Sequence, residues 1–426
     1  WFAPYQFESG KSPCCVDQRG ADPVPEHDSS GELIHVIAEY VRFTGDSAFA
    51  ESMWPHVLAA AGYLDTLRAQ RLTPEWSTPA NAPFHGILPP SISHEGYSAK
   101  PMHSYWDDLF ALRGYKDGAW LAAQLGHADD ERWMGASRDE FAHDFAAASR
   151  AAMKAHRIDY VPGCSDLGDF DATSTTIALS PVQAGGVLAE DALRATFERY
   201  WQFFERRRSG EETWDVYTPY ELRNVGAFVR LGWRERAEEL LAWFMADRRP
   251  QGWRQWAEVV DKDPRHGRFV GDMPHTWVGT DFVRSVQEML AYERESDSAL
   301  VIAAGVPENW FADSAVVVRG LHTRWGTVAY RLERTAGKVR LTLDPAQLRM
   351  PPGGLILMPP GVPWGRCGGP SNETHCMWAI TVDGTIREAA PQGVVELSPR
   401  TGFKTLPREI EWGHQRGSPQ IKSLYR

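Results

Sequence analysis

Basic runs, long apolar stretches and metal-type cysteine spacing are all missing from this chain, and each absence removes a class of function. The 56 acidic residues outweigh the 45 basic ones to give a net charge of −11, with no Lys/Arg block. Binding to nucleic acid or to an anionic membrane surface needs cationic patches that displace counterions, so neither partner is expected. No segment reaches the roughly 18 to 20 uninterrupted apolar residues of a membrane span. The start, Trp1-Phe2-Ala3-Pro4, has neither the basic head nor the apolar run of a secretion signal, so the chain reads as soluble and as cut from something longer. Cys14, Cys15, Cys164, Cys367 and Cys376 form an odd set without zinc spacing. Cys367 and Cys376 bracket a Gly/Pro/Asn stretch suited to a loop disulfide, whereas adjacent Cys14 and Cys15 would be strained if joined. Asn372-Glu373-Thr374 matches a glycosylation sequon, too short a pattern to fix the compartment. A phosphate-cradling glycine loop and a G-x-S-x-G nucleophile are also lacking, and no metal or cofactor is expected.

What is plentiful is tryptophan, with 18 in the chain. Bulky helical cores explain such an excess, and so do flat indole faces laid against the C–H faces of sugar rings. At 426 residues with 43% apolar content, the chain is globular and long enough for two units.

Between Ser29 and Thr44 the apolar residues Leu33, Ile37, Tyr40 and Val41 follow the helical period up to Gly45. Asp46 then reads as the cap of a second helix with Met53, Trp54, Val57, Leu58, Ala61, Leu64 and Leu67 on one face. Residues 71–104 hold six prolines and form a long irregular loop, and loops of that length are uncommon without a function. Further helices are predicted over 107–125, 129–156, 171–179, around 193–204, over 217–231, around 233–244 and over 276–294. The last follows a second long loop, 248–275. The pattern then changes to short β-type runs at 316–319, 327–334, 338–343, 354–358, 377–382 and 393–397. The expected organisation is an irregular lead-in over 1–28, an all-α domain over 29–300, a boundary near 300–312, and an all-β sandwich over 312–426.

Pro25-Glu26-His27-Asp28-Ser29-Ser30-Gly31-Glu32, leading into Ala38-Glu39-Tyr40 and Thr44-Gly45-Asp46, resembles the six-hairpin glycosidases, whose (α/α)6 toroid winds twelve helices in two rings. Tyr105-Trp106-Asp107-Asp108 is similar to the Trp-carboxylate signature of trehalase-like and glucoamylase-like members. About nine helices are read where the family has twelve. Placing the shortfall before residue 29 implies that a preceding segment or a partner subunit completes the barrel. In that register the 71–104 loop falls where the family carries its general acid, and the 248–275 loop where it carries its base.

The resemblance implies an inverting glycosidase acting on a neutral carbohydrate. A protonated acid serves the leaving oxygen and a carboxylate activates water, the two standing roughly 6.5 to 9.5 Å apart. Asp107 is the first candidate for the acid, with Asp108 beside it to raise its pKa; helix capping is the plainer account of either residue, and Glu95 is the substitute. Glu258, flanked by Trp253 and Trp256, is the candidate base, with Asp272 as rival or as cap of the last helix. Glu26, His27 and Asp28 are expected to bind sugar hydroxyls, with Glu221 and Arg223 contributing similarly, and Trp106, Trp253, Trp256 and His275 are further expected substrate contacts; a plain helix cap accounts equally for Asp28 before Ser29 and Ser30, a buried ion pair for Glu221 and Arg223, and a loop hydrogen bond for His275. His94 and His103 read as sugar contacts or loop hydrogen bonds. A phosphorylase or epimerase on the same toroid is the alternative, with Arg254, His266 and Arg268 as phosphate ligands; a non-catalytic carbohydrate-binding or assembly subunit is the other.

Overall fold

The structure is a computed structural model that describes residues 1–94, 96–267, 269–335, 338–360, 378–383, 385–387 and 395–414. It divides into two compact units, Trp1–Thr213 and Trp214–Arg426.

The first unit is helical apart from a two-strand pair, β1 (Val16–Asp17) and β2 (Gly20–Ala21). Its helices are α1 (Asp28–Thr44), α2 (Ser47–Ala69), α3 (Tyr105–Leu125), α4 (Ala128–His156), α5 (Ala172–Leu179) and α6 (Glu190–Ser209). Gly45 ends α1 in the left-handed conformation that costs glycine nothing, and the Asp46 side chain accepts the Phe49 N–H at 2.9 Å to start α2, which makes the first hairpin. Ile34, Ile37, Ala38 and Val41 of α1 share a core with Val57, Ala60 and Ala61 of α2 and Leu121 and Ala122 of α3. Helices α1 and α3 approach closely because glycines face each other. A Cβ on Gly31 would run into the Phe110 carbonyl, and one on Gly114 would lie 2.9 Å from the Gly31 Cα. That contact brings the first turn of α1, with Asp28, to the first turn of α3, with Trp106 and Asp107.

Behind the hairpin, Asp117 is buried between Arg42, Arg113 and His35. Burial alone would raise its pKa, but Arg113, Arg42 and His35 together hold it far below the usual carboxylate range.

The second unit opens with β3 (Val216–Tyr217), a 3-10 turn over Pro219–Leu222, α7 (Arg223–Arg230) and α8 (Arg234–Asp247). β4 (Val260–Asp261) returns to pair with β3, and α9 (Thr276–Leu290) follows. The single helix predicted over 217–231 is thus broken, since Pro219 has no N–H for a helix ladder and the Thr218 side chain caps the turn instead. The last predicted helix also stops early. Residues Ala291–Arg294 leave it as β5 and pair antiparallel with β6 (Ala299–Ile302), so sheet pairing overrides a helix-compatible sequence.

Strands β7 (Val316–Thr323), β8 (Gly326–Thr335), β9 (Lys338–Leu343), β10 (Leu355–Leu357), β11 (Trp378–Val382), β12 (Thr385–Arg387), β13 (Val395–Leu397) and β14 (Glu409–His414) complete the chain's strands among the described residues. They form a four-stranded sheet in the order β13-β10-β6-β5 and a six-stranded one in the order β12-β11-β14-β9-β8-β7. Leu300, Ile302, Leu355 and Leu357 of the first sheet share one apolar core with Val328, Leu332, Leu341 and Trp412 of the second, the two-layer arrangement of a sandwich. Mainly helical residues followed by a C-terminal all-β region is the fold class that the change of periodicity implied. Cys367, Cys376 and the Asn372 sequon lie outside the described residues, and Cys14, Cys15 and Cys164 are free thiols. No described helix is long and apolar enough to cross a membrane.

Candidate functional site

In the first unit the acidic candidates converge below a network of serines. Asp107 and Asp108 occupy the first turn of α3, whose N-cap is Ser104, so neither residue caps it. Both are fully enclosed at 0% exposure. Asp108 accepts the Leu88 N–H at 2.9 Å, while Asp107 accepts the Ser91 hydroxyl and faces that of Ser93. One oxygen of each carboxyl, Oδ1 of Asp107 and Oδ2 of Asp108, has no hydrogen-bond partner among the described residues. Burial pushes both pKa values well above the carboxylate range, and for Asp107 the nearby Asp28 adds to the rise. A buried oxygen without a donor is what an ionised carboxylate avoids, so geometry and electrostatics both favour the protonated form of Asp107.

Asp28 is the first residue of α1 and does not cap it; the N-cap position is His27, with no side-chain capping bond. Its Oδ2 accepts the Trp106 indole N–H at 2.8 Å, and burial raises its pKa as well. His27 is buried, and desolvation with the charge of Lys11 brings its pKa down to about 4, so the ring is neutral. Glu26 is buried near Lys11 and Cys14. Four expected site residues, Asp28, Trp106, Asp107 and Asp108, are therefore one packed cluster. Glu95 lies outside the described residues.

Around this cluster stand His94, read from the sequence as a sugar contact or a loop hydrogen bond, and serines that the sequence did not single out. Ser93 Oγ lies 2.8 Å from Ser104 Oγ and 2.9 Å from Nδ1 of His94, and the His94 ring rests on Trp106 at 4.5 Å between centroids. Ser174, in the first turn of α5, lies 3.4 Å from Nε2 of His94 and donates to Asp171, the N-cap of that helix. Ser91-Ile92-Ser93-His94 has no periodicity that would mark it, and its partners lie far along the chain. His103, by contrast, is locked away from such chemistry, since Arg71 donates to its Nε2 at 3.1 Å and Asp166 holds its Nδ1.

In the second unit Glu258 is half-buried in the loop before β4, and both of its peptide groups are tied down. Its N–H donates to the Asp272 carbonyl at 2.9 Å, and the Thr218 hydroxyl donates to its carbonyl at 2.7 Å. The side chain thus projects from a fixed backbone. The rival Asp272 is exposed, and the cap of α9 is His275, whose Nδ1 accepts the Val278 N–H at 3.4 Å. His275 also joins Glu258's neighbourhood, because its N–H donates to the carbonyl of Trp256 at 2.8 Å. The Tyr220 ring meets His275 and Trp277 edge-on, and the Arg223 guanidinium lies 4.5 Å over Tyr220 while pairing with Asp281 at 2.7 Å. Arg223 is therefore committed to a buried ion pair, and Glu221 is buried beside it in the 3-10 turn. Trp256 is buried against Phe282, whereas Trp253, at 66% exposure, and Trp277, at 39%, show indole surface to solvent. His266 pairs with the acidic Asp261 at 3.0 Å, which disfavours it as a phosphate ligand, and Arg268 lies outside the described residues.

Among the described residues no group of three or more His, Cys, Asp or Glu side chains is placed to hold a metal. An apolar cavity of about 530 Å³ lies between the N-terminal segment and α1 and α2, lined by Trp1, Phe2, Leu33, Val36 and Tyr40 and by none of the candidate residues.

No family model matches the sequence, and no similar curated protein was found. Among solved structures the chain is similar to the α-L-rhamnosidase from Dictyoglumus thermophilum, with a TM-score of 0.55 and 12% identity over 97% of this chain and 42% of that one. The likeness is one of fold, with helices followed by β-sheets in both. A GH78-family rhamnosidase of Bacillus sp. GL1 is also similar, with a TM-score of 0.47 and 15% identity over 80% of this chain and 34% of that one. The chain accordingly spans less than half the length of either rhamnosidase. At such identity the likeness is one of fold, the fold expected from the Glu26 to Asp46 segment.

Proposed function

We propose that the chain is the carbohydrate-processing part of an inverting glycoside hydrolase that removes a neutral sugar, with Asp107 as the store of the acid's proton and Glu258 as the base that activates water. The observation that carries this reading is the state of Asp107. Hydrolysis through an oxocarbenium-like transition state needs one carboxyl kept protonated near neutral pH, and total enclosure beside Asp28 supplies that condition. Glu258, half-buried on a backbone held from both sides, supports the second role. Exposed indole surface on Trp253 and Trp277 and the net charge of −11 favour a neutral substrate over an anionic one. The fold's likeness to an α-L-rhamnosidase makes α-L-rhamnosides the first substrates to try.

The test is a panel of aryl and oligosaccharide glycosides, with proton NMR of the first-formed reducing sugar. Release of the sugar with its anomeric configuration inverted, independent of added phosphate, is expected. Retention, strict dependence on phosphate, or sugar binding without turnover across the panel would each overturn the reading.

A further inference from the structure

Pro23 and Pro25 have no N–H, so the segment that leads into α1 offers its neighbours mainly carbonyls, and each of these needs a donor. The Pro25 carbonyl takes the Ile92 N–H at 3.0 Å. The Pro23 carbonyl takes one N–H of the Lys11 ammonium at 2.6 Å, and the Val24 carbonyl takes another together with the Glu26 N–H at 3.0 Å. Glu26, His27 and Asp28 follow directly and are buried. Their lead-in is thus held from two sides, by Lys11 and by the loop whose Ser91 donates to Asp107.

Lys11 is itself anchored, because the loop that carries it is fastened to α2. The Gln6 amide donates to the Gly10 carbonyl at 2.9 Å and to the His56 carbonyl at 3.1 Å, while its oxygen lies 2.8 Å from Nδ1 of His56. Gly10, at φ 88°, sits so close to α2 that a Cβ would run into the Ala59 carbonyl. The next residue is Lys11, so its ammonium reaches the entry of α1 from a fixed backbone.

A lysine at this buried position carries a desolvation cost that an apolar side chain of the same length would avoid. Burial lowers its pKa, and the two groups it bonds are carbonyls rather than a carboxylate. What the ammonium supplies, and methionine could not, is a pair of donors at the entry to the turn. Its positive charge also adds to the effect of burial in keeping the His27 ring neutral.

We propose that Lys11 is a positioning residue, its ammonium fixing the turn Glu26-His27-Asp28 through the carbonyls of Pro23 and Val24. Lys11 touches no substrate and acts through the residues it holds. Its kinetic role rests on the glycosidase reading above, with that turn as the expected binder of sugar hydroxyls.

Hydrogen exchange of the intact chain tests the pinning without a substrate. In Lys11→Met the Glu26 and Ile92 amides should exchange at least about tenfold faster, while amides in the middle of α2 keep their protection. Lys11→Arg, which retains the charge and the donors, should stay close to wild type. Unchanged exchange at Glu26 and Ile92 in Lys11→Met, or an equal loss of protection in both variants, would reduce Lys11 to a filler of its gap and overturn the proposal. Kinetics test the role of the turn. KM for α-L-rhamnosides should rise at least about tenfold in Lys11→Met with kcat little changed, on alkyl and dinitrophenyl leaving groups alike, because a binding turn serves ground state and transition state equally. A fall in kcat at unchanged KM, or unchanged kinetics, would overturn the positioning role while leaving the hydrolase assignment standing. If the wild-type chain hydrolyses nothing, that assignment fails and exchange alone decides whether Lys11 holds the turn. Should Lys11→Met not fold, Lys11→Gln, shorter by one bond but still a donor, is measured in the same way; failure of both to fold would make Lys11 a strut of the whole unit and overturn the proposal.

Discussion

The Trp106 indole donates from Nε1 to Asp28 Oδ2 at 2.8 Å, tying the second residue of α3 to the first residue of α1. The bond is possible because Gly31 and Gly114 let the two helices approach, and it gives one tryptophan two tasks, donor to a buried carboxyl and shelf for the His94 ring. Trp106→Phe keeps an aromatic face and removes only the N–H. Asp28, buried and already resistant to ionisation, would lose the donor at Oδ2. Leaving a buried acceptor unsatisfied costs about 1–3 kcal/mol, so the midpoint of urea unfolding should fall accordingly. An unchanged midpoint would mean that water or another donor replaces the indole.

The enclosed carboxyls Asp107 and Asp108 make a prediction about pH. Folding raises both pKa values, so the native chain retains protons that the unfolded chain releases above about pH 3.9. The stability linked to those protons is complete below that unfolded value and is lost as pH rises toward the folded ones. Asn has the shape of the neutral acid at every pH. Asp107→Asn and Asp108→Asn should therefore gain stability relative to wild type between pH 4 and pH 7, by about 1.4 kcal/mol for each tenfold tighter hold on the proton. Urea titrations at the two pH values check this. A stability difference that does not change with pH would mean that the carboxyls are ionised in the folded chain.

Much of this architecture was legible in the residues because it is written locally. Gly45 and Asp46 mark a hairpin by the conformation one permits and the N–H the other accepts, and alternation in Val339, Leu341 and Leu343 marks a buried strand face. The misread elements are those decided by distant partners. Ala291–Arg294 becomes a strand because Ala299–Ile302 pairs with it, and the Tyr217 segment is drawn out of helix by pairing with Val260. The same holds for the site. Trp106, Asp107 and Asp28 were readable because aromatic and acidic residues cluster near two helix starts. The serines were not, since His94 and Ser174 are 80 residues apart and nothing in either neighbourhood points to the other.

Glu258 offers the most direct test of the chemistry proposed for the second unit. A base that activates water acts before the leaving group matters, so Glu258→Gln should lower turnover of good and poor leaving groups by the same factor, about 10²- to 10⁴-fold. Azide, a small nucleophile that needs no base, should restore part of the rate. Thr218→Val removes the hydroxyl that holds the Glu258 carbonyl at 2.7 Å while leaving the carboxylate in place, so a smaller loss in kcat with little change in KM is expected. Asp272 lends Glu258 only its backbone carbonyl, and its own side chain is exposed; Asp272→Asn should stay within a few-fold of wild type. The reverse ranking, with Asp272→Asn crippling and Glu258→Gln mild, would transfer the base's role to Asp272 and make Glu258 a strut of the loop.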